Sequence, residues 1–134
     1  IGIPDSYIPD QALRLKLYRR LADIKDEAAL ASIEMEFEDR FGPLPEQVRN
    51  LVFQIKVKLI AALAGLASVG FEGRQLVLSY PPLPQGVENR ELPELRGRVT
   101  TGKNAYRIRF DDPREEPWEE ILMDVLLKIR SLTA

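Results

Sequence analysis

The chain contains no cysteine and no histidine. The lack of cysteine excludes disulfide bonds, thiolate zinc sites and cysteine nucleophiles. The lack of histidine removes the usual general base at neutral pH, the usual imidazole metal ligand and every serine triad built on histidine. Most familiar enzyme chemistries are therefore excluded, and we expect no cofactor.

Long apolar runs and phosphate-binding loops are also missing. The longest apolar stretch, residues 59–66, is far shorter than the about 20 residues that a membrane helix requires, so we expect no membrane association. Neither the P-loop pattern nor the dinucleotide-binding glycine pattern occurs. The sequence starts at Ile1 without a basic start and an apolar run, so we expect no signal peptide and a piece of a longer protein.

Neither sign of charge dominates. The 19 basic and 21 acidic residues give a net charge of −2, which disfavours a domain that binds through many phosphate contacts. The length of 134 residues suits one compact core. We therefore expect a single domain over residues 1–134.

Helical spacing dominates the first half of the chain. The pattern predicts an extended lead-in over residues 1–10 and a helix over residues 11–24 that Asp10 caps. A second helix should start at the Asp26 cap and end at Gly42, and a third should start near Pro45 and continue for about 20 residues. The first helix carries an apolar stripe of Leu13, Leu17, Leu21 and Ile24 and a second stripe of Leu15, Tyr18 and Ala22; the later stripes are Leu30, Ile33, Phe37 and Phe41, then Val48, Leu51, Val52, Ile55, Leu59, Ala62, Leu63 and Leu66.

Alternating apolar residues dominate the second half until a last helix. The pattern predicts hairpins over residues 69–80 and 98–110, joined by an irregular connection with a short helix at residues 91–95. Pro117 should open a closing helix with the stripe Trp118, Ile121, Leu122, Val125, Ile129 and Leu132. The predicted fold class is α+β, with three N-terminal helices, two β-hairpins forming a small sheet, and a C-terminal helix.

One flank of the second helix combines charge with an exposed apolar residue. At about 100° per residue, Glu36, Asp39 and Arg40 lie away from the apolar stripe, and Met35 projects near Asp39. A Glu and an Arg at i, i+4 favour an ion pair that orients both groups. An apolar anchor inside a charged rim is typical of a partner-binding surface, and these acids would suit a partner that carries arginines.

Two other functions remain open from the residues alone. The first helix carries four basic residues and no acid, so it could contact a nucleic-acid backbone, although pairing with the acidic second helix is favoured. Paired carboxylates could serve as acid and base in a hydrolase, although turn chemistry and a solvated face also explain them. The basic residues are Arg14, Lys16, Arg19 and Arg20; the acidic clusters are Asp111, Asp112, Glu115 and Glu116, and Glu34, Glu36, Glu38 and Asp39.

Several segments together resemble one family, the C-terminal domain of the bacterial transcription-repair coupling factors. The resemblance runs in order through about the first 80 residues. It is carried by IPDSYIPD at residues 3–10, LRL at 13–15, LYRRLA at 17–22, EFEDRFGPLP at 36–45 and RNL at 49–51.

The resemblance implies a regulatory role without catalysis. Members belong to a large DNA translocase of the bacterial cytoplasm, which has a helicase-like ATPase motor, displaces stalled RNA polymerase and recruits the repair protein UvrA. The resemblance further implies that this domain docks on the N-terminal UvrB-like module of the same polypeptide, covers its UvrA-binding surface and keeps the motor autoinhibited. The family's docking residues carry over to Glu36, Asp39 and Arg40.

Overall fold

The computed structural model describes residues 2–133, with side chains up to Leu132. Its order of elements confirms the predicted α+β layout, including the three N-terminal helices, the two hairpins and the C-terminal helix. Ile1 and Ala134, the ends of the predicted single-domain range, lie outside the described residues. The elements are α1 (Gln11–Ala22), α2 (Glu27–Phe41), α3 (Glu46–Leu63), β1 (Ser68–Glu72), β2 (Gln75–Ser79), β3 (Val99–Thr101), β4 (Ala105–Arg109) and α4 (Trp118–Thr133).

The chain divides into two compact units, Ile1–Leu59 and Ile60–Ala134. The prediction of one domain over residues 1–134 stays a prediction. No helix among residues 2–133 is both long enough and apolar enough to cross a membrane.

Short-range capping rules set the helix ends in the first unit. Asp10 and Asp26 each accept a hydrogen bond from the backbone N–H three residues later, at 3.1 and 2.7 Å, which confirms both predicted N-caps. Gly42 ends α2 with φ 91° and ψ −171°, a conformation that side chains rarely adopt. The predicted stop is confirmed, and ψ places Gly42 outside the left-handed helical region in which glycines commonly end helices.

The first unit has its own apolar core, to which the N-terminal segment contributes. Ile3 and Ile8 are buried, and the ring of Tyr7 packs edge-on against Phe41 at 5.7 Å between centroids. The predicted extended lead-in is wrong in its shape: the N–H groups of Tyr7 and Ile8 both donate to the carbonyl of Pro4, which forms a turn. The other buried members of this core are Leu17, Leu21, Leu30, Ile33, Phe37, Val48 and Val52.

A few predicted core positions are exposed instead. Leu15 is 50% exposed and Ala22 is also exposed, so the second stripe of α1 is buried only in part, at Tyr18. Leu63 and Leu132, near the ends of α3 and α4, are 59% and 56% exposed. Helical spacing identifies a face, but an element's end or a wide stripe can extend past the surface that covers it.

The second unit is built on a four-stranded antiparallel sheet with strand order β1-β2-β4-β3. Leu76 and Leu78 of β2 lie opposite Ile108 and Tyr106 of β4, and all four are buried. Trp118, at the start of α4, packs edge-on against Phe71 of β1 at 5.1 Å between centroids. Helix α4 buries Leu122, Val125, Leu126 and Ile129.

The connection between β2 and β3 has no helix, so the short helix predicted at residues 91–95 is wrong. Pro93 lacks an N–H donor in the middle of that segment. Side chains of the second hairpin hold the connection instead. Asn104 accepts a hydrogen bond from Arg90 Nε at 2.8 Å, and the Tyr106 hydroxyl donates to the Pro93 carbonyl at 2.5 Å.

Candidate functional site

The outer flank of α2 presents the four residues singled out by the sequence. Met35, Glu36, Asp39 and Arg40 recur at helical spacing, whereas Ile33 and Phe37 on the opposite flank are buried. We call these four residues the α2 surface. The side chain of Met35 is 72% exposed and is the apolar member of this otherwise charged patch.

Glu36 is the fixed point of the α2 surface. Its two carboxylate oxygens accept hydrogen bonds from both terminal nitrogens of Arg20, at 2.9 and 3.1 Å. Arg40 donates a third hydrogen bond at 3.0 Å. These hydrogen bonds, first from Arg20 and then from Arg40, hold the pKa of Glu36 below its ordinary value. The carboxylate therefore stays ionised and oriented.

The remaining charged groups of the α2 surface have capacity for a partner. The carboxylate of Asp39 is exposed and makes no hydrogen bond or ion pair within residues 2–133. The Arg40 guanidinium lies over the Phe41 ring at 5.0 Å and binds Glu36 through one nitrogen, Nη1. A guanidinium has five N–H donors, so Arg40 can bind further acceptors.

The structure confirms two of the pairings that the sequence predicted. The i, i+4 pair of Glu36 and Arg40 forms, and Arg20 joins the basic first helix to the acidic second helix. Sequence reasoning named Arg20 only as part of a basic run and missed its place beside the α2 surface. The signal was the short connection between α1 and α2, which allows adjacent faces of the two helices to meet.

The other basic residues of α1 do not act as a group. Arg14 donates to the carbonyl of Ile8 at 2.8 Å and so holds the N-terminal segment. Lys16 and Arg19 are exposed and form no ion pair in the described part of the chain. With Arg14 and Arg20 committed to contacts inside this unit, a continuous basic stripe for a phosphate backbone is not formed.

The acidic cluster before α4 is organised as a turn. Glu116 accepts hydrogen bonds from Arg98 at 2.6 Å and from the N–H groups of Asp111 and Asp112. The pKa of Glu116 is lowered mainly by Arg98, and that of Asp112 mainly by Arg114. A general acid requires a raised pKa, so these shifts oppose the hydrolase alternative.

The acids of α2 give no catalytic pair either. Burial raises the pKa of Glu34 against the opposing charge of Lys56, whereas hydrogen bonds lower that of Glu36. Glu34 and Glu36 are both half-buried, but they are two residues apart on α2, so their side chains project about 200° apart around the helix. Residues 2–133 contain no group of three acidic side chains arranged to hold a metal ion.

Comparison with known proteins gives a consistent result. The profile of the TRCF domain matches residues 1–89. The chain belongs to the TRCF domain family. The transcription-repair-coupling factor of Rickettsia conorii is 43% identical to this TRCF domain over 113 residues, which are 84% of the chain and 10% of the relative. The Escherichia coli factor is 39% identical over 64 residues, which are 48% of the chain and 6% of the relative.

The fold of this TRCF domain agrees with a solved structure. The crystal structure of a C-terminal domain of transcription-repair coupling factor superposes with a TM-score of 0.68 at 20% identity, and covers 98% of this chain and 89% of its own. The chain is thus a TRCF domain of the transcription-repair coupling factor family, and it spans a small part of the full-length relatives.

Proposed function

We propose that this TRCF domain is a non-catalytic regulatory module of a transcription-coupled DNA repair translocase of the bacterial cytoplasm. The α2 surface docks on the N-terminal UvrB-like module of the same polypeptide, masks its UvrA-binding surface and keeps the motor autoinhibited. RNA polymerase and DNA act through the parent motor, which lies outside this chain. The observation that carries the proposal is the exposure of Met35 beside the exposed carboxylate of Asp39.

The geometry of Glu36 supports docking because it reduces the entropy lost on binding. The ion pairs with Arg20 and Arg40 already hold the Glu36 carboxylate in place, and the second pair also fixes one end of the Arg40 guanidinium. Fewer side-chain rotamers must therefore be frozen when a partner arrives. Asp39 is left as the principal acceptor for an arginine on the partner, and Arg40 as the donor for an acid.

The character of the α2 surface also suits a contact that opens. The two arginines that bind Glu36, Arg20 and Arg40, are 47% and 42% exposed, so their ion pairs form in a high-dielectric environment and contribute modestly to stability. Charged contacts of this kind fix orientation and exchange readily for water. When the docked state is only modestly favoured over the undocked state, any ligand that binds the undocked state more tightly can shift the equilibrium toward it.

The proposal is tested by Asp39→Lys in the full-length parent protein. Charge reversal should repel the partner's arginine and open the docked state. We expect UvrA affinity to rise by about tenfold, within the usual range of coupling between sites, and basal ATPase activity to rise with it. Fluorescence anisotropy with labelled UvrA and a steady-state ATPase assay provide the two readouts.

Asp124→Lys is the matched control because Asp124 is exposed on α4 and lies outside the α2 surface. It makes the same change of charge and should leave both readouts unchanged. Met35→Ala removes the apolar anchor without changing charge and should act in the same direction as Asp39→Lys. Unchanged UvrA affinity and ATPase activity in both α2-surface variants would refute the autoinhibitory role.

A further inference from the structure

A second concave surface of the first unit lies between α1 and the beginning of α2. This groove has a volume of about 680 Å³. Its apolar lining combines the half-exposed Leu15 with smaller or more deeply placed residues, which are Ala12, Ile24, Ala29 and Ile33. We call it the α1–α2 groove.

The exposure of Leu15 is the first observation that requires an explanation. Leu15 is 50% exposed although it stands at the edge of a concave apolar surface. An isolated exposed leucine is ordinary. A leucine at the border of an apolar groove, however, provides apolar surface that a bound ligand can bury. A matching ligand would therefore carry an aliphatic side chain of similar size.

The charge around the α1–α2 groove is the second observation. Lys16 and Arg19 flank Leu15 on α1, and Lys25 stands at the turn into α2. Within residues 2–133 these three cations form no ion pair. The two acids of the groove, Asp23 and Asp26, lie near the same turn. Asp26 already accepts a hydrogen bond from the backbone N–H of Ala29.

This distribution distinguishes between two kinds of anionic partner. A nucleic-acid backbone has no aliphatic group to fill the apolar lining, and its phosphates are spaced regularly, so it cannot keep its charges at Lys16 and Arg19 alone and away from Asp23 and Asp26. An acidic protein segment can place its carboxylates against Lys16 and Arg19 and its aliphatic side chain beside Leu15.

We propose that the α1–α2 groove is a docking site for an acidic protein segment that carries a leucine-sized aliphatic side chain. This site has none of the four α2-surface residues in its described lining, and Arg20 connects the two because it lines the groove and binds Glu36. Arg20 is therefore left unchanged in the tests. A failure here leaves the autoinhibitory role intact.

The test uses the 134-residue chain and a fluorescein-labelled synthetic peptide that repeats the tripeptide Asp-Glu-Leu. Fluorescence anisotropy at low salt should show saturable binding. Leu15→Gln, which keeps a helix-forming residue at an exposed position, should weaken the affinity by about tenfold, and Lys16→Glu should weaken it by a similar factor. Lys58→Glu makes the same charge reversal on α3, outside the groove, and should change the affinity less than about twofold.

Two further probes separate the other possible occupants. A peptide that repeats Asp-Glu-Ser carries the same charge without the aliphatic group and should bind at least about tenfold more weakly. Unlabelled duplex DNA should not displace the labelled Asp-Glu-Leu peptide from the chain. Equal binding of the two peptides, an effect of Lys58→Glu as large as that of Lys16→Glu, or binding of DNA in place of the Asp-Glu-Leu peptide would each overturn the proposal.

Discussion

The hydroxyl group of Tyr7 connects the N-terminal segment to the end of α2. It lies 2.8 Å from the carbonyl of Gly42 and 3.1 Å from that of Phe37. Tyr7→Phe removes this donor and should lower the free energy of unfolding by about 1–2 kcal/mol. Urea denaturation followed by far-ultraviolet circular dichroism measures the change.

Tyr18→Phe is the control for Tyr7→Phe because the Tyr18 hydroxyl forms no hydrogen bond in the described part of the chain. It should change the free energy of unfolding by less than about 0.5 kcal/mol. An equal loss of unfolding free energy in both variants would show that the hydrogen bond from the Tyr7 hydroxyl to these carbonyls contributes little to stability.

The Glu36 carboxylate makes a pH-dependent contribution with a defined sign. Its pKa in the folded chain lies below the ordinary value of a glutamate, so the unfolded chain binds this proton more readily. The contribution is therefore complete above that ordinary value and is lost as the pH falls through the lower folded pKa. Glu36→Gln should cost stability at about pH 7 and less at about pH 3, because acid shifts the wild-type carboxylate toward its protonated form.

Urea unfolding of both proteins at the two pH values measures that difference. Other acids titrate in the same range, so the informative quantity is the gap between wild type and Glu36→Gln rather than either curve. A gap that stays constant or widens toward acid would contradict the assigned role of the Arg20 and Arg40 hydrogen bonds.

The end of α2 is set by the backbone of Gly42. Its φ of 91° and ψ of −171° fall in a region that is nearly restricted to glycine. No heavy atom lies within 4 Å of the position that a Cβ would occupy, so the cost of a side chain is conformational and not steric. Gly42→Ala should lower the free energy of unfolding by about 1–3 kcal/mol, measured by urea denaturation.

Gly70→Ala tests the same chemical change where φ is not positive. Gly70 lies in β1 with open space at its Cβ position. The substitution should be close to neutral because alanine adopts extended backbone without strain. A similar loss at both sites would point to a general effect of alanine instead of the α2 terminus.

Elements with local signals were predictable from the sequence, and longer-range features were not. Asp10, Asp26 and Gly42 act through neighbours within a few residues, and all three were identified correctly. The strand order β1-β2-β4-β3 depends on pairing across the long connection, which no local pattern encodes.

The candidate site follows the same division. Spacing along one helix located Glu36 and Arg40, because an i, i+4 pair is a property of that helix alone. The ion pair of Arg20 with Glu36 depends on how α1 packs against α2. The sequence therefore predicted only that the basic first helix would pair with the acidic second helix, and did not identify Arg20. The exposure of Leu15 contradicts its periodicity because the stripe of α1 is wider than the surface that covers it.

At the scale of the whole molecule, the distribution of charge limits what this chain can bind in the absence of the full-length parent protein. The net charge is −2, and the basic residues that the sequence grouped on α1 serve different purposes. Arg14 holds the N-terminal segment and Arg20 binds Glu36, which leaves Lys16 and Arg19 exposed on that helix. Phosphate binding strengthens with the number of neutralised charges, so these two residues give little affinity even with Lys25 in the adjacent turn.

We therefore expect the chain to bind duplex DNA no more tightly than about 10⁻⁴ M at physiological salt, the weak end of non-specific binding. Fluorescence anisotropy with a labelled duplex, repeated at about 50 mM and about 200 mM salt, measures both the affinity and its salt dependence. A variant with Lys16→Glu and Arg19→Glu should behave like the wild type, because neither residue is part of a basic stripe. Tight, salt-sensitive binding that this variant abolishes would assign α1 to nucleic acid and would favour the accessory nucleic-acid-binding role.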